Sequence, residues 1–176
     1  GLAVVRVSGP IAGSIASRVG RKKPAANELL FSSFYTAKRE VIDQGMMAFF
    51  AASHSYTGED VIEIYPHSNP HIVHLLLDTI CGYGARLAHP GEFSERAFLN
   101  GRQDLAQLES VADLIAANSE QAARNAVISL SGQFSRHIHS IVEAVISVRM
   151  YLEATLDFPD EELDIQEQVA WRDRLD

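Results

Sequence analysis

Eight apolar residues recur at steps of three and four along the second half of the chain: Val127, Leu130, Phe134, Ile138, Ile141, Val145, Val148 and Leu152. Such spacing draws one continuous stripe down the side of a helix and predicts a single helix over residues 119–156. A stripe of that length has to be covered by other apolar surface. After Pro159 only an acidic turn and a short amphipathic piece from about Ile165 remain. The stripe is therefore expected to pair with a second copy, or with chain outside these 176 residues. With Gly rather than Met at position 1, the second possibility makes the chain read as a piece of a longer protein.

The first hundred residues have a different texture. A short apolar run at 2–7 is followed by Ser8-Gly9-Pro10, which reads as strand, turn and the start of a helix over 11–19. Residues 29–35 and 46–50 have strand composition, with a turn expected at Asp43-Gln44-Gly45 and an antiparallel pairing between them. Residues 61–65 form another strand, ended by Pro66. Asn69-Pro70 opens a helix closed by Gly82 and Gly84, and 85–88 is expected as an edge strand. From residue 92 onward the pattern is helical, with Asp104 and Gln107 spaced as a capping box. The fold class is α+β: a mixed sheet with flanking helices, then long helices.

Composition sets limits on function. Apolar residues at 47% and charged residues at 22% describe a folded chain. Cys81 is the one cysteine, which excludes an internal disulfide and a cysteine zinc site. At the end of an apolar helix it reads as packing rather than as a nucleophile. No run approaches the ~20 apolar residues of a membrane helix, and no signal peptide is present, so a cytoplasmic protein is expected. The net charge of −8 is concentrated at the end: residues 153–176 hold 9 acids and 2 bases, while the rest is nearly neutral. An RNA partner would therefore need a local basic patch. The basic stretch at 21–24 reads as a solvated loop.

Few residues suggest chemistry by spacing alone. The sequence contains no GxxxxGK[ST] phosphate loop and no GxSxG elbow. His67, His71 and His74 fall at helical spacing, but spacing alone is weak support for a metal, and none is expected. Glu63 is the conspicuous residue, a carboxylate between Ile62 and Ile64 in an apolar strand. Facing inward it needs an arginine or a ligand with two N–H donors; facing outward it is an ordinary alternating polar residue. Arg6 carries the same ambiguity in the first strand. Glu92 and Arg96 are spaced as a simple helical ion pair. The loop Ser55-Tyr56-Thr57-Gly58-Glu59-Asp60 either binds a ligand or caps the next element.

Four ordered blocks, SYTGEDVIE (55–63), PGEFSERAFLNGRQDLAQ (90–107), ADLIAANSEQAARNA (112–126) and EATLDFPDEELD (153–164), closely resemble the bacterial tRNA-modifying GTPases of the MnmE (TrmE) family. GLAVVRVSG (1–9) is similar to that family's early strand. The resemblance implies an N-terminal folate-binding and dimerisation domain over 1–101 and the first part of a helical domain over 102–176. It implies a parent enzyme that acts with MnmG on the wobble uridine of tRNA, adding a C5 aminomethyl-type group. GTP, Mg²⁺ and K⁺ would belong to a G domain absent from this stretch, so the 176 residues themselves are not expected to be catalytic. A 5-formyl-tetrahydrofolate-type cofactor would lie here, with its family contacts carried over onto Arg6, Glu63 and Arg102, and Tyr56 stacking or gating. A strand carboxylate suits the two adjacent N–H donors of a pterin. The chain departs from the family at His67-Ser68-Asn69-Pro70, where HGGP is usual, and at Phe50-Ala51-Ala52-Ser53, which lacks the usual prolines. A dimerisation scaffold that does not bind folate is the competing expectation.

Overall fold

A boundary between Gln103 and Asp104 separates the chain into two units. The computed structural model describes residues 1–157. The first unit runs β1 (Val5–Ser8), α1 (Ala12–Val19), β2 (Leu29–Tyr35), β3 (Val41–Phe50), β4 (Val61–Tyr65), α2 (Pro70–Gly82) and α3 (Glu92–Leu99). Its four strands form one antiparallel sheet in the order β1-β4-β3-β2.

Alternation along the strands decides which side is core. Val5 and Val7 of β1, Met47 and Phe49 of β3, and Ile62 and Ile64 of β4 are buried together. Ile15, Ala16 and Val19 of α1 and Leu76 and Ile80 of α2 close over them. The other side of the sheet carries the intervening residues. One row across it reads Arg6, Glu63, Ala48, Leu29 by direct cross-strand pairing; the next reads Tyr65, Met46, Phe31. Leu29 is 55% and Phe31 64% exposed, so this second face is open and partly apolar along β2, while Ala48 and Val61 are buried on it.

Several expectations shift at the edges of elements. The turn at 43–45 is not there, because β3 begins at Val41 and Gly45 pairs with Ser32 inside the ladder. The chain reverses instead at Thr36 and Glu40, with Arg39 at φ 68. Residues 85–88 form no strand. The first ladder covers Val5–Ser8, and Leu2 contributes an isolated bridge to His67. His67-Ser68-Asn69-Pro70 starts α2 efficiently: the Asn69 side chain accepts from His71 N–H at 2.9 Å, and Pro70 takes the first helical position.

The second unit contains α4 (Leu105–Ala116), α5 (Glu120–Leu130) and α6 (Gln133–Asp157). Asp104 and Gln107 make the capping box reciprocally, at 2.8 and 3.0 Å. The amide of Gln107 also donates to Leu130 O at 2.9 Å, tying α4 to the end of α5. The single helix expected over 119–156 is two helices. Gly132 adopts φ 75 and its N–H bonds Ser129 O at 2.9 Å, the left-handed ending that glycine supplies at low cost. The apolar stripe hides this break, because the step from Leu130 to Phe134 keeps helical spacing across it. Among the described residues α6 buries none of its side chains. Phe134, Ile138, Ile141, Val145 and Leu152 are exposed along it. The piece expected from Ile165, the stop at Pro159 and most of the acidic tail lie outside the described residues.

Candidate functional site

Pairing of β1 with β4 sets Arg6 directly opposite Glu63 on the open face of the sheet. Arg6 Nε donates to Glu63 Oε1 at 2.7 Å, and its Nη2 stands 2.6 Å from the same oxygen. The hydroxyl of Tyr65, two residues along the strand, donates to Glu63 Oε2. Burial, together with that hydrogen bond, pushes the Tyr65 hydroxyl up to about 12. The Phe93 ring lies 5.7 Å from the Arg6 guanidinium carbon. Glu63 thus lies on the face away from the core, the outward alternative, and still takes an arginine partner. Its side chain is 14% exposed against 43% for Arg6, so the arginine is the more movable of the pair.

A second cluster of charges holds the loop before β4 against α3. Ser8 Oγ donates to Glu59 Oε2 at 2.8 Å and meets Thr57 Oγ1 at 2.6 Å. Arg96 reaches both Glu59 oxygens, at 2.8 and 3.0 Å, and Glu92 Oε1 at 2.7 Å. Glu92 also takes both ends of the Arg86 fork, at 2.6 and 2.8 Å, and the backbone N–H of His89 at 2.9 Å. Asn100 donates to Thr57 O at 2.7 Å. The expected helical pair Glu92–Arg96 is therefore the middle of a network from β1 to residue 86. Sequence spacing shows only its local contact, because Glu59 and Arg86 come from separate segments.

Glu92 ionises well below the usual carboxylate range because it accepts from Arg86, then from Arg96, then from the His89 backbone. Asp43 is lowered too: burial pushes it up, but the backbone N–H groups of His67 and Gln44 outweigh that. Both groups stay ionised in the folded state at pH values where the unfolded chain takes up protons. Their contribution to stability is whole above the ordinary carboxylate value of 4.5 for Glu92 and is lost as pH falls below it. Urea midpoints are expected to be level from about pH 7 to 5 and to drop below that. Glu92→Gln is expected to lower the plateau and flatten the drop.

The four residues assigned from sequence separate into a direct pair and two flanking positions. Arg6 and Glu63 touch. The Tyr56 hydroxyl bonds Ser94 Oγ at 3.0 Å and Gln103 Oε1 at 3.2 Å, at the flank of α3. Arg102 lies along Gly58, where an added Cβ would stand 3.1 Å from Arg102 Cγ. Gly58 has φ +77, so the glycine is needed both for the turn and for this approach. Among the described residues no hydrogen bond or ion pair joins Tyr56 or Arg102 to the Arg6–Glu63 pair. A cavity of about 320 Å³ opens beside β1, lined in part by Arg6, Ser8, Phe93, Glu92, Arg96 and Cys81. Arg6 alone of the four lines it. Phe93 and Arg96 were not singled out from the sequence as site residues. Cys81 is half-buried on the cavity wall rather than fully packed.

The three histidines diverge. His67 Nδ1 lies 3.0 Å from Asp43, and His74 lies 3.4 Å from Asp78. Among the described residues no group of three or more His, Cys, Asp or Glu side chains is gathered to hold a metal ion. None of the described helices is long and apolar enough to cross a membrane.

An antiparallel sheet backed by helices on one face, followed by a run of long helices, defines an α+β domain joined to a helical one. Residues 1–102 match the family described as GTP-binding protein TrmE N-terminus, and residues 105–176 match the MnmE helical domain. The chain belongs to the MnmE (TrmE) family. It is 51% identical over 164 residues to the tRNA modification GTPase MnmE of Stutzerimonas stutzeri, covering 93% of this chain and 36% of that protein. The protein of the same name from Pseudomonas aeruginosa strain PAO1 gives the same identity and coverage. Over all 176 residues the chain is 49% identical to MnmE of Aromatoleum aromaticum, spanning 39% of it. The chain thus spans little more than a third of the length of these relatives.

Proposed function

We propose that this chain is the folate-binding and dimerising part of a tRNA-modifying GTPase. The residues 1–101 form the folate-binding and dimerisation domain, and 102–176 begin the helical domain. Arg6, Glu63, Arg102 and Tyr56 contact a 5-formyl-tetrahydrofolate-type donor. The cofactor supplies a one-carbon unit at the formyl oxidation level; the protein residues bind and orient it. The whole enzyme works in the cytoplasm as a homodimer with MnmG, modifying the wobble uridine of tRNA with a C5 aminomethyl-type group. GTP, Mg²⁺ and K⁺ act in a G domain outside these 176 residues.

The observation that carries this reading is the Arg6–Glu63 pair on the open sheet face. A carboxylate has about four acceptor positions. Arg6 and Tyr65 take three of these, so a pterin N–H pair is accepted once the exposed Arg6 swings from Glu63 to a pterin carbonyl or formyl oxygen. The neighbouring Phe93 presents its ring to the same arginine. The 320 Å³ cavity beside β1 meets this site only through Arg6 and Phe93. Calorimetric titration with 5-formyl-tetrahydrofolate tests the reading: saturable binding near micromolar, about −8 kcal/mol, is expected. Absence of heat favours the second reading, a dimerisation scaffold alone. That reading draws on a specific observation, since Glu63 is already satisfied within the chain.

A further inference from the structure

The body of the chain is close to neutral, yet its basic residues are not evenly spread. Between positions 18 and 39 lie Arg18, Arg21, Lys22, Lys23, Lys38 and Arg39, against a single acid, Glu28. The fold brings three of them to one place. The end of α1 carries Arg18, the loop after it Arg21, and the reversal between β2 and β3 Arg39. They line an open basin of about 560 Å³ together with Ser17, Tyr35 and Tyr83. No carboxylate lines this basin.

Three features mark these arginines against Arg6, Arg86 and Arg96 of the same unit. Arg6, Arg86 and Arg96 are all ion-paired to glutamates. No ion pair with a carboxylate holds Arg18, Arg21 or Arg39 among the described residues. Two of them are instead stacked: the Arg18 guanidinium carbon lies 4.1 Å from the Tyr83 ring centre, and that of Arg21 lies 3.9 Å from the ring of Tyr35. Stacking occupies the flat face of a guanidinium and leaves its in-plane N–H donors for an oxyanion. Finally, Arg21 and Arg39 adopt φ 59 and 68, the left-handed region where a long side chain is uncommon. Each backbone reversal aims an arginine where a glycine or asparagine would be the easier residue.

We infer that the basin framed by Arg18, Arg21 and Arg39 is a docking site for the phosphodiester backbone of RNA. Planar forks braced on tyrosine rings suit successive phosphate groups, and the half-exposed rings offer stacking surface to an unpaired base. Such contacts position a nucleic acid without reading its sequence. The choice of RNA among phosphate-bearing ligands rests on the tRNA-modifying reading above. The basin itself rests on geometry that is independent of Glu63.

The test is fluorescence anisotropy of a labelled, unmodified tRNA transcript titrated with the purified protein across a salt series. The triple variant R18Q/R21Q/R39Q is expected to bind at least about tenfold more weakly in 50 mM salt. Loss of three phosphate contacts is expected to flatten the slope of log K against log salt by about 2. The loss is expected to be equal for an RNA of scrambled sequence. R124Q/R136Q/R149Q, which removes the same charge from the helical unit, is expected to change binding less than about twofold. An equal loss in that control means that net charge alone is at work, and overturns the inference. So does unchanged tRNA binding by R18Q/R21Q/R39Q, or the absence of tRNA binding by the parent protein. R18K/R21K/R39K keeps the charge but loses fork and stack; binding equal to the parent overturns the assigned geometry. Titrating 5-formyl-tetrahydrofolate into R18Q/R21Q/R39Q keeps the two readings apart. Retained folate heat with lost tRNA binding supports the basin, whereas tRNA binding through the basin without folate heat supports it and overturns the folate reading.

Discussion

Exchanging Glu63 for alanine is expected to weaken 5-formyl-tetrahydrofolate binding more than about 100-fold, while the sedimentation coefficient of the protein stays unchanged. Each hydrogen bond from a ligand N–H to a charged acceptor contributes about 1.5–3 kcal/mol, so losing a forked pair removes about 3 kcal/mol or more. The expected loss grows if Arg6 is left facing the ligand without its counter-charge. Stability is expected to change little by comparison. Glu63 lies on the open face of the sheet and none of the core residues packs against helices through it. Glu63→Gln separates charge from shape: it keeps an acceptor oxygen but turns the other position into a donor, which opposes a pterin N–H. It is expected to bind nearly as poorly as the alanine variant. Dimer dissociation in parallel with lost binding would show Glu63 to be structural, and a retained titration would remove it from the site.

The largest effect on folding is expected from Gly45→Ala. A Cβ built at Gly45 would stand 2.2 Å from the carbonyl oxygen of Tyr65 and 3.2 Å from Phe34 Cε2. The first neighbour is backbone of the adjacent strand and cannot swing aside as a side-chain tip can. Relief requires β3 and β4 to part where Met46 pairs with Tyr65. Overpacking a well-fitted site costs about 1–3 kcal/mol, and a clash against backbone belongs at the top of that range. A urea midpoint measured beside that of the parent checks it, with an unchanged slope if the same surface is exposed on unfolding. Because Tyr65 holds Glu63 from the same stretch of strand, the variant is also expected to bind folate more weakly than its stability alone accounts for. An unchanged midpoint would mean the ladder tolerates a wider strand spacing here.

Gly45 also shows where reading the sequence goes astray. Asp43-Gln44-Gly45 has turn composition, yet this glycine is kept by a close approach between strands rather than by a bend. The actual reversal uses Arg39, a residue without turn propensity. Strand and helix cores are legible because the short strand composition of 61–65, ended by Pro66, and the broad apolar face of 70–82 leave few options. The break at Gly132 was not, since a stripe reports which face is apolar but says nothing of continuity. At the candidate site, Glu63 stood out as a carboxylate among isoleucines, and the opposing Arg6 as its mirror in the first strand. Their mutual contact needed the register of β1 on β4. Phe93, Glu59 and Arg86 could be placed only by the tertiary fold, because each reaches its partners from a separate segment.

The bare stripe of α6 sets up two tiers of opening within one polypeptide. An amide in β4 is released only when the sheet core around Ile62 and Ile64 comes apart, because both residues are fully buried. An amide in α6 is held by its own helical turn and little else, since no side chain of α6 is buried among the described residues. Deuterium uptake is therefore expected to run through α6 well before it reaches β4. Whatever surface covers the stripe would be visible as slowed uptake there alone, which makes α6 a built-in reporter of assembly that leaves the β-sheet silent.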